Sequence, residues 1–346
     1  MAKATPDKGY QQLKSDLAAG TIAPAYLFHG EESYLREYYL GAMKQALVPA
    51  GFEEFNYHRL DGRAMSMAQL VETVEAMPMM AERTMVVVVD CDLFKLPEAS
   101  RSVLLTLLED LPSYCCLVFV YDRLEYKADK KYKKLCAALD KHVRVVAFRT
   151  ADKSDLLNWI RRRFRALGKD IDAQAGEHLI FLCGSLMTGL VPEIEKIASY
   201  ARGERVTIAD IDAVADPILD AVAFQLTNAV TRGDYNAAAE ILGRLLRQQE
   251  EPFMILGAVG KELRRIYTAR IALDEGRGKQ WLMELWGMRS DYPARLLLDA
   301  ARRTTRAWCE HSLQLCQRLD LRMKSEKGVD NAGELKLLLM ELAQKR

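Results

Sequence analysis

Two kinds of apolar segment alternate over the first 150 residues of the chain. Met85 opens an almost continuous run of β-branched residues, MVVVV, and a second run, CCLVFVY, begins at Cys115. Runs of this kind are typical of strands that are buried on both faces. The predicted strands are 25–28, 55–60, 85–89, 115–121 and 143–148, and the predicted helices are roughly 33–47, 67–75, 97–111 and 129–139. This alternation predicts a parallel sheet with helices on both faces.

After Arg149 the strand pattern stops and helical patterns take over. The predicted helices are 154–167, 173–182, 191–200 and 207–213, with Thr207 as an N-cap. Asp216 and Pro217 break the pattern, and only helices are predicted beyond them. We therefore expect an α/β plus all-α protein of three domains: a parallel-sheet domain over 1–148, a small helical domain over 149–216 and a larger helical domain over 217–346.

The charge of the chain is nearly balanced, with 49 Lys and Arg against 48 Asp and Glu. A domain that coats nucleic acid by itself usually carries a clear basic excess. Residues 217–346 lean basic, with 21 basic and 17 acidic side chains, whereas the two preceding domains are slightly acidic. The balance favours a protein whose main surfaces face other proteins.

Composition sets further expectations about location and metals. Neither a run of about 20 apolar residues nor a secretory signal behind the first charges is found, so a cytoplasmic protein without a membrane segment is expected. The seven cysteines form no C-x-x-C pair and lie mostly in apolar segments, which indicates reduced core thiols rather than a metal site. The five histidines are scattered, and no catalytic residue is predicted among them.

The first predicted strand and helix are joined where an ATPase would hold phosphate. A P-loop there would read G-x-x-x-x-G-K-[ST], but Gly30 is followed by Glu31 and Glu32. At the end of the MVVVV strand, Asp90 resembles a magnesium-associated acid, yet an aspartate that forms a turn is the simpler interpretation. No P-loop, cofactor or metal ligand is therefore predicted.

The segment before the MVVVV strand is the most informative. Pro78 ends a helix, and the consecutive Met79 and Met80 cannot both point into one core. Methionine is unbranched and polarizable, which suits an apolar contact with a partner. The alternative, that the pair covers the edge of the sheet, stays open on these grounds.

Several segments together resemble the delta subunits of bacterial DNA polymerase III clamp loaders. Three lie in the first domain: YLFHGEESYLREYY (26–39), FNYHRLDGR (55–63) and AMPMMAERTMVVVVDCDLF (76–94). Others are EIEKIASYA (193–201), VTIADIDAVA (206–215), DAVAFQLTNAVTRGDYNAAAEILGRLL (220–246), EEPFMILGAVGKELRRIYTAR (250–270) and DLRMKSEKG with ELKLLLMEL (320–342). The resemblance spans nearly the whole chain in order.

This resemblance implies a fold and a function. The fold is an AAA+-like domain without a working ATP site, a helical lid and a helical collar. The function is to bind the sliding clamp and promote its opening, so that the ring is loaded on primed DNA, without hydrolysing ATP. Intrinsic catalysis is not expected, although such a subunit is catalogued with DNA-directed DNA polymerase as part of the holoenzyme. The implied partners are the clamp (beta), the gamma or tau ATPase, delta-prime and primed DNA.

The resemblance also implies site residues. Family members grip the clamp with an apolar pair after the helix that precedes the central strand, and Met79 and Met80 occupy that place, flanked by Met77 and Pro78. The family often has Leu and Phe there, so a Met pair departs from the pattern but stays apolar. Basic residues that could meet partner acids or DNA phosphates are Arg264, Arg265, Arg302, Arg303, Arg306, Arg322, Lys324 and Lys327. For most of them, a solvated helix face is the simpler interpretation.

Two other functions remain as alternatives from other classes. The chain could be an active AAA+-type ATPase with a degenerate phosphate loop that uses Asp90 and Asp92 on magnesium. It could also be a helical DNA-binding adaptor that works through its basic C-terminal part.

Overall fold

The computed structural model describes residues 8–288 and 290–344. It separates into two compact units: residues 1–150 with 186–188, and residues 151–185 with 189–346. Each unit is described by itself. The first seven residues of the segment searched for a secretory signal lie outside the described residues.

The first unit is built on a five-stranded parallel sheet. Its strands are β1 (Ala25–His29), β2 (Tyr57–Asp61), β3 (Thr84–Val89), β4 (Cys115–Val120) and β5 (Arg144–Ala147), in the order β2-β3-β4-β1-β5. Its helices are α1 (Lys8–Ala19), α2 (Ser33–Leu47), α3 (Glu53–Asn56), α4 (Met67–Glu75), α5 (Glu98–Glu109) and α6 (Lys133–His142). The predicted parallel sheet is confirmed.

Alternate residues of the central strands enter two separate cores, one on each face of the sheet. On β3, Val86 and Val88 pack into the core that contains Leu70 and Leu104, whereas Val87 packs into the core that contains Met43. Because side chains alternate between the faces of a strand, both faces need an apolar cover. The helices on each side supply that cover, as the continuous apolar runs predicted.

The predicted strand over 55–60 is wrong at its beginning. Phe55 and Asn56 lie in the short helix α3, and pairing with β3 begins at Tyr57. The Asn56 amide donates to the carbonyl of Phe52, 3.0 Å away, which favours a helical turn. Helix α1 carries no prediction, although its Leu13 is fully buried in the core that contains Met43.

The second unit is almost entirely helical. Its helices are α7 (Lys153–Ala166), α8 (Ala173–Cys183), α9 (Met187–Tyr200, whose first two residues belong to the first unit), α10 (Ile208–Val214), α11 (Leu219–Arg232), α12 (Tyr235–Arg247), α13 (Pro252–Asp274), α14 (Lys279–Leu285), α15 (Asp291–Ala301), α16 (Arg306–Ser325) and α17 (Asn331–Gln344). The expectation that no strand follows Arg149 is wrong, because β6 (Asp170–Ile171) pairs with β7 (Arg205–Val206). Two residues are too few to show a period-two pattern.

Helix α13 lies at the centre of the second unit. It packs on α11, α15 and α16, and it supplies the buried Leu256, Val259, Leu263 and Ile266 to the core of this unit. Thr207 caps α10 as predicted, since its hydroxyl accepts the Asp210 N–H while the Asp210 carboxylate accepts the Thr207 N–H.

The cysteines pack as predicted. All seven are free thiols, and six are buried, the exception being the partly buried Cys136. Burial raises the pKa of Cys116 to about 12, so this thiol stays protonated near neutral pH. Among the described residues, no helix combines the length and the apolar character that crossing a membrane requires.

The carboxyl group of Glu262 is buried in the helical unit. Glu262 on α13 lines a cavity of about 350 Å³, together with Asp220, Arg265, Lys153 and Glu177. Burial raises the pKa of Glu262 to about 7, and Asp220 adds to the shift, whereas Arg265, 3.4 Å away, and Lys261 oppose it. The folded state therefore favours the neutral form of this carboxyl.

Glu262→Gln should change how stability depends on pH. Because the folded-state pKa of Glu262 lies above its ordinary value of 4.5, its ionisation destabilises the fold progressively from about pH 4.5 to pH 7. As the pH rises from 5 to 8, the free energy of unfolding of the variant should increase by on the order of 3 kcal/mol relative to that of the wild type. Urea unfolding at both pH values measures this, with the exposed Glu240→Gln as a control. Parallel pH profiles for wild type and Glu262→Gln would contradict the assignment.

Candidate protein-binding site

The loop between α4 and β3, residues 76–83, is fixed at both ends. The Tyr114 hydroxyl donates to the carbonyl of Glu75 at 2.8 Å, where α4 ends. Before β3, the Arg83 guanidinium donates to the carbonyl of Ile22 at 2.9 Å. The loop therefore leaves and re-enters the folded core at defined points.

The middle of this loop exposes three methionines. The exposed fraction is 81% for Met77, 50% for Met79 and 75% for Met80. Pro78, which lies between Met77 and Met79, is partly buried. Exposed large apolar residues that lie close together mark interaction surfaces more often than isolated ones do. This exposure favours the partner-contact interpretation over the alternative that the Met pair covers the sheet edge.

Asn56 holds the centre of the loop. Its side-chain amide donates to the carbonyl of Met79 at 2.8 Å, and its side-chain oxygen accepts the Met79 N–H at 2.8 Å. Asn56 is fully buried, while the residue before it, Phe55, is half exposed. The role of Asn56 is not predicted from the sequence, because nothing local connects it to a residue 23 positions away.

The turn after β1 contains a buried carboxylate where a P-loop protein would hold phosphate. Gly30 has a φ of 117°, and a Cβ at this position would lie 2.3 Å from the carbonyl oxygen of Phe148. Glu32 is fully buried, and its carboxylate accepts the N–H of Met187 at 3.1 Å. Burial raises the pKa of Glu32, while the N–H groups of Met187, Tyr34 and Thr188 oppose the shift.

Arg36, one turn into α2, is also buried in this region. Its guanidinium donates to the carbonyl of Gly30 at 2.9 Å and forms an ion pair with Asp122. The guanidinium of Arg36 and the carboxylate of Glu32 are therefore both bonded to other groups of the protein.

Asp90 has a structural role at the end of β3. One of its carboxylate oxygens accepts the N–H groups of Asp122, Arg123 and Leu124 at 2.9, 2.9 and 3.1 Å, and the other lies 3.4 Å from Arg63. Burial alone would raise the Asp90 pKa, but these donors and Arg63 bring it below its ordinary value. The residue has a φ of 57°, as turn-forming aspartates tolerate.

Asp92 is engaged in the same turn. Its carboxylate accepts the Phe94 N–H at 3.3 Å and pairs with Lys95 at 2.9 Å. The geometry around Asp90 and Asp92 matches the turn interpretation from the sequence, not a pair that is open toward magnesium.

Most of the predicted basic contact residues have a partner within the second unit. Six of them bond to a neighbouring side chain: Arg265 to Glu262, Arg302 to Asp299, Arg303 to Asn228, Arg306 to Glu310, Arg322 to Glu334 and Lys324 to Asp320. Arg264 and Lys327 are exposed, and in the described part of the chain no acid lies within 4.0 Å of either. The structure does not gather all eight into one patch of free cations.

Two family models match this chain, one in its N-terminal part and one in its C-terminal part. The family model of the DNA polymerase III delta subunit matches residues 26–149, and the model of the C-terminal domain of the same subunit matches residues 220–342. The two matches lie in the expected order and together cover more than two thirds of the chain.

The chain belongs to the DNA polymerase III delta-subunit family.

Relatives match this delta-family chain over almost its full length. DNA polymerase III subunit delta of Bacillus subtilis (strain 168) is 24% identical over 335 residues, which is 95% of each chain. The subunit of the same name from Escherichia coli (strain K12) is 23% identical over 342 residues, covering 97% of this chain and 96% of the relative.

A solved structure shares the fold. The Bacillus subtilis DNA clamp loader delta protein aligns with a TM-score of 0.56 and 22% identity, over 97% of this chain and 99% of that one. With the sheet described above, this confirms the predicted class, a parallel-sheet N-terminal domain followed by helical regions.

Asp90→Ala should destabilise the delta-family chain far more than Asp92→Ala. Removing Asp90 leaves three backbone N–H groups without their acceptor, which should lower the free energy of unfolding by about 2–4 kcal/mol at pH 7. Asp92→Ala removes one backbone contact and a surface ion pair, and should cost less than about 1 kcal/mol. Urea unfolding measures both variants, and equal small losses would refute the structural role of Asp90.

Proposed function

We propose that this chain is the clamp-loader subunit that binds the sliding clamp and promotes its opening, so that the ring is loaded on primed DNA, without hydrolysing ATP itself. The observation that carries the proposal is the exposed Met79–Met80 pair, which a delta-family chain presents on an anchored loop. Met77 and Pro78 flank the pair and extend the contact.

Binding draws on burial of apolar area. Full burial of a methionine side chain is worth about 1.5–3 kcal/mol relative to exposure, so two methionines can carry much of the energy of a small interface. Residues of this kind dominate binding when they enter a pocket near the centre of an interface. The polarizable thioether adapts to an apolar pocket whose shape changes as a ring distorts.

Opening of the ring requires a difference between two affinities. A ligand shifts a conformational equilibrium only by as much as it prefers one state. The loop must therefore bind the sprung form of the clamp better than the closed form. Energy of binding to the sprung form then offsets part of the energy that holds the closed interface of the ring together.

The remaining partners are inferred from family membership. Residues 217–346 would form the collar that joins the gamma or tau ATPase and delta-prime, with 149–216 as the lid and 1–148 as the clamp-binding domain. Exposed Leu321, Leu337 and Met340 on α16 and α17 supply apolar area that supports such packing. Of the eight predicted basic residues, Arg264 and Lys327 are the best placed for primed DNA, because their charge is not met by a neighbouring acid within the described residues.

The ATPase alternative receives little support from the site. A nucleotide phosphate at the turn after β1 would meet the buried carboxylate of Glu32, and Asp90 already accepts three backbone donors. Mg²⁺-dependent binding of radiolabelled ATP to the isolated chain would revive this alternative.

Replacing both methionines should abolish most of the clamp affinity. Met79→Ala combined with Met80→Ala should weaken binding by at least about 2 kcal/mol, or roughly 30-fold, because an apolar anchor is lost. Surface plasmon resonance with the immobilised clamp measures this. Met254→Ala is the matched control, because Met254 is also an exposed methionine but lies at the start of α13. Equal affinity for the double variant and the control, with both folded, would remove the basis of the proposal.

The opening step makes a separate prediction. A clamp variant that is weakened at its subunit interface, and so forms monomers, should bind the wild-type chain several-fold more tightly than the closed ring does, since no energy is spent on the interface. Titration calorimetry on both forms compares the two affinities. Equal affinity would show a chain that binds the clamp without promoting its opening.

A further inference from the structure

We propose that Asn56 is a positioning residue for clamp binding, because it fixes the backbone of Met79 and thereby the direction in which Met79 and Met80 are presented. This inference rests on the proposed function and names a residue outside residues 76–83, the Met loop. The proposed contact itself involves the methionine side chains and not Asn56, which is fully buried.

The amide of Asn56 reproduces the pairing that a neighbouring strand would give. It donates to the Met79 carbonyl at 2.8 Å and accepts the Met79 N–H at 2.8 Å, so both backbone groups of one residue are bonded to one side chain. A third bond, to the Phe52 carbonyl at 3.0 Å, fixes the orientation of the amide. Three of the four hydrogen bonds open to an asparagine amide are thus formed.

Between its two fixed ends, the loop has little else to hold it. Among residues 78–82 of the described structure, Met79 is the residue whose backbone groups form hydrogen bonds, and both of these bonds are to the Asn56 side chain. The adjacent Met80 has a φ of 53°, a left-handed conformation that is uncommon for residues other than glycine. Such a conformation persists when the surroundings impose it, and Met80, which is 75% exposed, contributes little packing that could do so.

Fixing a loop before binding removes part of the entropy that association would otherwise cost. A free loop of five residues would present the two methionines in many directions, few of which suit one pocket. Asn56 therefore acts through the methionines. Its removal should weaken clamp binding even though no contact with the clamp is lost.

The test compares Asn56→Ala with a variant that destabilises the same unit at a distance. Val146 is fully buried on β5, at the opposite edge of the sheet from β2, so Val146→Ala lowers stability without touching the loop. Surface plasmon resonance should show about a tenfold weaker clamp affinity for Asn56→Ala and an unchanged affinity for Val146→Ala. Hydrogen exchange of the Met79 amide should accelerate in Asn56→Ala alone.

Asn56→Asp gives a second variant if Asn56→Ala does not fold. An aspartate still accepts the Met79 N–H but cannot donate to the carbonyls of Met79 and Phe52, so it should also weaken clamp binding. Unchanged affinity in a folded variant whose Met79 amide exchanges faster would overturn the proposal. Equal losses in Asn56→Ala and Val146→Ala would overturn it too, since they would show a general effect of stability.

The outcome is separable from that of the proposed function. If the Met79 and Met80 substitutions leave clamp binding intact, the proposed contact fails, whatever Asn56 does. If those substitutions abolish binding and Asn56→Ala does not weaken it, the contact stands and the positioning role fails.

Discussion

Burial of β3 and β4 on both faces is the constraint on which the first unit depends. Val86 and Val88 cannot enter one core unless Met85 and Val87 enter another, so helices must cover both sides of the sheet. Parallel strands also need a connection that returns along the sheet. The loops that precede the strands therefore lie at one end of the strands, and the loops that follow them lie at the other end. Residues 76–83 therefore lie at the beginning of β3, and Asp90 lies at its end.

The length of β3 separates two kinds of surface. Six residues at about 3.3 Å each place the Met loop roughly 20 Å from the strand ends, where Gly30, Glu32 and Asp90 lie. That far edge is where open parallel sheets usually bind ligands. Here Glu32 is bonded to the backbone of Met187, and Arg36 is paired with Asp122. The edge that contains the Met loop shows the opposite character, with apolar side chains exposed and the backbone fixed.

The sequence predicted what depends on repeated patterns and missed what depends on single contacts over a distance. The apolar runs predicted the sheet and both of its cores, because a strand buried on two faces has few other ways to fold. Pro78 with two successive methionines indicated that the pair cannot lie wholly in one core, but left open whether it contacts a partner or covers the edge of the sheet. The short helix α3 and the strands β6 and β7 escaped because two to four residues carry no periodicity. Asn56 and Glu262 escaped because their roles depend on residues brought close by the fold.

The Met loop combines a fixed backbone with flexible side chains, and each part has a different consequence for binding. Met80 adopts a positive φ, where a β-branched residue would be strained, so the site disfavours Val and Ile. An unbranched side chain keeps several rotamers and fits pockets of differing shape. The fixed backbone limits the directions from which those side chains enter. If the pocket changes shape as a ring opens, the side chains that fill it must adapt to the new shape. A preference for the opened form also requires that the bound loop does not fit every shape of the pocket equally well. In the clamp contact that we propose, adaptable side chains on a backbone fixed by Asn56 would meet both requirements, whereas a wholly flexible loop would follow the clamp into either state and favour neither.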